Sequence, residues 1–189
     1  MMIDPISLQM IRDVVAILGV LAGLSYYIMT VRNQNKSRQA QLLMNLYESY
    51  RSKESRRQSL EIQSWEWKDP NEFFEKYGQE VNPDAWALWE AKAAFFNGVG
   101  ILLKKNLIDI ELVDEFLTSS VNRHWNMLGM GVIIAEWRKR LPERRQDQPW
   151  RYDSNDLWQD ESLMFNPFHG FDYLYHSLIE YRKAHPLNP

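Results

Sequence analysis

The chain carries four histidines and no cysteine, so any acid–base or metal chemistry must be built from histidine and carboxylate side chains. His176 and Glu180 stand four residues apart, a spacing that can place two ligands on one helix face, and His169 precedes His176 by seven. At 100° per residue, however, both fall opposite Phe171, Leu174 and Leu178. If that apolar stripe faces a core, the pair faces solvent, and no metal site is expected. The paired Glu-x-x-His motifs of a di-iron bundle are absent. The other conceivable constellation is His124 with Glu90 and Glu136, on helices expected to pack together. General acid–base catalysis needs such groups within hydrogen-bond reach. Pairing of Glu136 with Arg140, and a histidine beside a helix start, account for the same residues without catalysis. Without cysteine there is neither a disulfide framework nor a thiolate metal site. There is also no Gly-rich phosphate loop, no G-x-S-x-G and no H-E-x-x-H. No catalytic residue is therefore assigned and no cofactor is expected.

A second kind of signal concerns lipid. Between Asp13 and Arg32 lie eighteen uncharged residues, VVAILGVLAGLSYYIMTV. As a helix they rise roughly 27 Å, close to the thickness of a hydrocarbon core. Tyr26 and Tyr27 sit toward the end, where amphipathic rings suit the headgroup boundary. An uninterrupted apolar run without a polar face argues against a buried soluble helix. A cleaved signal peptide fits poorly, because Asp4, Arg12 and Asp13 are not a basic n-region and no small-x-small site follows. Arg32, Lys36 and Arg38 come directly after the span. The positive-inside rule then puts the N-terminus outside and the rest of the chain in the cytoplasm, at the cell membrane. Shorter apolar runs, Ala91 to Leu103 and Met127 to Ala135, are too short to cross, which leaves a single pass.

Gly19-x-x-x-Gly23 within the span can let two helix backbones approach closely and form a dimer face. Glycine is also simply common in membrane helices. The charge pattern adds a partner. From Arg32 to Leu60 there are seven basic and two acidic residues, although the whole chain carries a net charge of −3. Arg32, Lys36, Arg38, Arg51 and Lys53 form a basic juxtamembrane segment suited to anionic lipid headgroups, or serving only as a topology signal. A nucleic-acid binder would carry its positive charge on the folded domain, so no nucleic-acid partner is expected.

The remaining sequence reads as helices around one core. Apolar residues make up 45% of the chain and aromatics 13%, too much for disorder. Residues 1–31 form the N-terminal segment and anchor, 32–60 a basic helix, and 61–189 a helical bundle. The basic helix is uninterrupted by Pro or Gly, with Leu42, Leu43, Leu46, Tyr47 and Tyr50 as its apolar stripe. A short helix from Glu72 to Tyr77 ends at Gly78. Asn82-Pro83 starts a long helix whose face is Trp86, Trp89, Ala93, Phe96, Gly100 and Leu103. Asp109 caps the next, with Ile110, Val113, Phe116 and Leu117 inward. A further helix from about Arg123 offers Trp125, Leu128, Val132 and Trp137 to the core and is stopped by Pro142. Asn97-Gly98 and Gly129-x-Gly131 read as tight helix crossings. Residues 143–168 are polar yet retain Trp150, Tyr152, Trp158, Phe165 and Phe168, which suggests a strap across the bundle. The last helix follows. The expected class is all-α.

The segment AFFNGVGILLKKNLIDIELVDEFL, Ala94 to Leu117, resembles an uncharacterised prokaryotic family of membrane-anchored helical proteins, a domain of unknown function. Trp125 and the run Trp137-Arg138-Lys139-Arg140 are similar to its later pattern. The resemblance spans about Arg32 to Leu141. It implies an anchor, a polar juxtamembrane helix and an aromatic-rich helix, and it implies no catalytic residue. The expected function is a non-enzymatic, membrane-tethered interaction or regulatory module that meets an unidentified cytoplasmic protein. The alternative is a membrane-associated enzyme, hydrolytic in class, working in a cleft between bundle and strap.

Overall fold

A computed structural model describes residues 5–147 and 168–186, with the helical backbone alone for 5–11 and 141–147. Every regular element among the described residues is helical: α1 (Pro5–Arg51), α2 (Lys53–Gln63), α3 (Pro70–Tyr77), α4 (Pro83–Lys104), α5 (Ile110–Asn122), α6 (Met130–Asp147) and α7 (His169–Ala184). The chain divides into two units, Met1–Leu42 and Leu43–Pro189. In the first, α1 is long and apolar enough to cross a membrane by length and composition, and none of its apolar window is buried.

Side-chain caps set most of the boundaries in the second unit. Asp69 Oδ1 accepts from the Glu72 N–H at 3.0 Å, and Glu72 Oε2 reaches back to the Lys68 N–H at 2.8 Å. Asn82 Oδ1 accepts from Ala85 N–H at 3.1 Å with Pro83 in the first turn, and Asp109 Oδ1 from Glu111 N–H at 2.8 Å. One cap revises the sequence reading. The basic helix does not run unbroken to Leu60, because Ser52 leaves helical geometry and caps α2 through its hydroxyl. Serine competes with the helical backbone in this way without any Pro or Gly.

α4 is the centre of the core, with Trp89, Ala93, Phe96 and Val99 fully buried. α7 lies along it in the same direction. Phe168 meets Trp89 at 5.7 Å, Phe171 stacks on Phe96 at 4.9 Å, and Lys104 Nζ lies 5.8 Å above the Tyr173 ring. Burying Phe171 and Leu174 contributes about 1.5–3 kcal/mol each. The helices touch backbone to backbone where Gly100 faces Gly170. A Cβ on Gly100 would strike the Gly170 carbonyl, and the Gly170 N–H donates to Asn97 Oδ1 at 2.7 Å. Of the expected Asn97-Gly98 crossing, Asn97 takes part through this bond, whereas a Cβ on Gly98 meets open space and Gly100 is the close-approach residue. Against α5, α7 runs in the opposite direction, with Tyr175 beside Asn126 and Arg182 beside Asp114.

The α5–α6 joint also differs from expectation. α5 passes without a break into a π-helical turn, Arg123–Met127, whose Leu128 N–H bonds the Arg123 carbonyl at 2.9 Å. Gly129 then adopts φ +63°, with its α-carbon against the Trp67 ring. These two steps rotate α6, so Met130, Ile133 and Ile134 are buried and Val132 is 55% exposed. Pro142 does not end α6, which continues to Asp147 at the cost of the one hydrogen bond that a proline cannot donate. Residues 143–147 of the expected strap are therefore helical, 148–167 lie outside the described residues, and Phe168 is buried against Trp89 and Trp137.

Candidate functional site

Arg32, Lys36, Arg38, Arg51 and Lys53 are all exposed. Gly19 and Gly23 are open as well, with no atom placed to contact a side chain at either position. Arg51 belongs to the Leu43–Pro189 unit and lies over the Tyr47 ring, 5.4 Å from its centroid.

His124, Glu90 and Glu136 are not brought together. Glu136 lines a cleft of about 740 Å³ between α3 and α6, beside Phe74, Trp86 and Trp137. Its carboxylate is held by Lys139 at 3.3 Å and Arg140 at 3.4 Å. The hydrogen bond from Lys139, with the nearby charges, keeps its pKa below the usual carboxylate value. Glu90 is exposed on α4. His124 is buried elsewhere, 1% exposed, packed against Phe96 and Tyr50. Its Nδ1 lies 2.8 Å from the Ser120 carbonyl oxygen. An N–H there donates to that oxygen, leaving Nε2 as a bare acceptor, which finds no partner among the described residues. Burial pushes its pKa down to about 4, so the ring is neutral at pH 7.

His176 and Glu180 are both exposed on α7. His176 Nδ1 bonds the Asp172 carbonyl oxygen at 2.8 Å, and Glu180 pairs with Lys183 at 2.8 Å. His169 is exposed on the first turn of the same helix. Among the described residues no three His, Asp or Glu side chains gather closely enough to hold a metal.

The structure assembles a different cluster. A cleft of about 400 Å³ opens between the end of α1, α2 and the α5 π-turn. Arg51, Arg56 and Arg123 line it, together with Ser59, Ser119, Ser120 and Gln63. Tyr47 and Phe116, with ring centroids 5.1 Å apart, and Leu60 form its apolar wall. No carboxylate lines it. Nearby Glu54 is engaged with Arg57 at 3.6 Å. Tyr50 lines the cleft from α1, its phenol pushed above the usual pKa mainly by burial.

Behind Tyr50 stands a lysine that the apolar stripe of α4 did not announce. Lys92 is 3% exposed. Its Nζ donates to the Ser55 carbonyl at 2.6 Å and hydroxyl at 2.5 Å, and sits 5.6 Å from the centroid of the Tyr50 ring. Burial pulls its pKa down, with Glu54 the one opposing charge. Three arginines thus line one recess, and the Lys92 ammonium stands behind Tyr50 in a neighbouring recess that Glu54 also lines. Charge clustering in the sequence groups Arg51 and Arg56 with the membrane segment; only the fold adds Arg123. Comparison of the chain with protein-family models, curated proteins and solved structures finds no match.

Proposed function

We propose that this chain is a membrane-tethered, non-enzymatic interaction or regulatory module. In this reading Val14 to Val31 cross the cell membrane once, the N-terminus lies outside, and a helical bundle faces a cytoplasmic protein partner. The observation that carries it is an apolar helical window with nothing buried, joined to a second unit that has a core of its own. Arg32, Lys36 and Arg38 follow the window directly, which favours this orientation and contact with anionic headgroups. The likeness of Ala94–Leu117 to an uncharacterised membrane-anchored family supports the same architecture. The hydrolytic reading loses support because His124 and Glu136 line separate clefts.

Paired reporter fusions after Pro189 test the proposal. A cytoplasm-active reporter should work and an export-dependent one should not, with the chain resisting carbonate extraction from membranes. Release by carbonate, or export of the reporter, refutes it.

A further inference from the structure

We infer that the cleft formed by α1, α2 and the π-turn of α5 is an anion site that takes an organic phosphate, with Arg51, Arg56 and Arg123 as its phosphate-binding groups. The composition of the recess points there. Arginine presents a planar fork of donors that matches phosphate oxygens two at a time. Three such residues border one recess, and none has a carboxylate partner among the described residues. A folded protein normally disperses or pairs its cations, since like charges repel at close quarters. Buried Lys92, hydrogen-bonded to Ser55 oxygens in the neighbouring recess, adds a positive charge behind Tyr50. Ser119 adds a neutral hydroxyl suited to phosphate oxygens, while the Ser120 hydroxyl is engaged with Tyr50.

The backbone supplies an independent sign. Arg123 is the first residue of the π-helical turn, a conformation that is uncommon and concentrated at functional sites. Arg123 itself continues the α5 face of Phe116, Ser119 and Ser120 at regular helical spacing, and the turn begins directly after this stripe. The turn also contains His124, a buried side chain whose ring nitrogen goes unpartnered although it borders the cleft. The apolar wall of Tyr47, Phe116 and Leu60 determines the rest of the ligand class. Bare inorganic phosphate would leave that wall idle, whereas a phosphate ester on a ring or an alkyl body would cover it. The same chemistry is found in soluble phosphate esters and in a phosphatidate headgroup. The inference does not depend on the membrane reading, because every lining residue lies in the Leu43–Pro189 unit.

The test uses the full chain in nanodiscs of phosphatidylcholine alone, titrated calorimetrically with phenyl phosphate and with inorganic phosphate. Saturable binding is expected, tighter for phenyl phosphate. The double substitution Arg56→Gln with Arg123→Gln should weaken it by about ten- to a hundredfold. Arg57→Gln removes the same charge one residue away, outside the cleft, and should leave binding unchanged. In a second arm, phosphatidic acid is added to the discs and the melting temperature of the helical unit is read. A rise in the wild type that vanishes in the double variant assigns the site to a lipid headgroup; binding of the soluble ester alone assigns it to a free phosphate. If neither probe acts through Arg56 and Arg123, or if Arg57→Gln weakens binding as much, the inference is overturned.

Discussion

Arg182 on α7 and Asp114 on α5 meet through Nε and Oδ1 at 2.5 Å, at a carboxylate that is 8% exposed. Thr118 Oγ1 donates to the same oxygen at 2.6 Å. The pair fastens the far end of α7 to the helix that leads into the basic cleft. Arg182→Gln leaves a nearly buried charge with one neutral donor and should cost about 1.5–3 kcal/mol. Adding Asp114→Asn should recover part of that loss, because the uncompensated charge is then gone. Urea unfolding of the full chain in detergent, followed by circular dichroism, measures both. Equal stability of Arg182→Gln and wild type would show that the pair contributes nothing.

Gly100 and Gly98 give a matched comparison on one helix. Gly100→Ala puts a methyl group into the Gly170 carbonyl and should force α4 and α7 apart, costing about 1–3 kcal/mol. Gly98→Ala points into open space and should stabilise by about 0.5–1 kcal/mol through helix propensity. Opposite signs in thermal melts are the expected result. If both substitutions stabilise, the crossing is looser than described.

His124 makes stability depend on acid. Its folded pKa of about 4 lies below the ordinary 6.5, so between those values the unfolded chain binds a proton that the folded chain refuses. Stability should therefore fall as pH drops from about 6.5 toward 4, on account of this residue. His124→Phe keeps a ring among Phe96 and Tyr50 but cannot titrate, so it should flatten that part of the profile while losing the bond to Ser120. Melting temperatures across the window, for both chains, decide it. Parallel profiles would assign the acid sensitivity to other groups.

Under the proposed anchoring, Gly19 and Gly23 predict self-association through α1. Both positions are open, so Leu at each should be tolerated by a single chain but should block close backbone approach. Crosslinking in vesicles should capture a wild-type dimer and at least about fivefold less of Gly23→Leu. Unchanged yields would leave the glycines without a dimer role.

The parts legible in the sequence are those set by local chemistry. Asn82-Pro83, Asp109 and Gly78 announced their boundaries, and Trp86, Trp89, Ala93 and Phe96 announced the inner face of α4. What was missed depends on partners distant in sequence. Nothing near Arg123 signals a π-turn, so the sequence spacing puts Val132 inside, whereas the turn rotates α6 and leaves it exposed. Ser52 breaks a helix with a side chain that also occurs inside helices. The basic cleft joins Arg51 and Arg56 to Arg123 across more than sixty residues, a meeting that no local pattern records. Lys92 is buried only because Ser55 oxygens lie within reach.

The alignment of α7 along α4 has a consequence for the order of events during synthesis. Trp89 and Phe96 receive Phe168 and Phe171 only after 79 and 75 further residues have been made. At about 5–20 residues per second, that is several seconds during which the middle helix shows its aromatic face to the ribosome's surroundings. α1 emerges long before this. A truncation before Phe168 should leave the Trp89 and Phe96 rings uncovered, an unfinished protein and a substrate for chaperones and proteases.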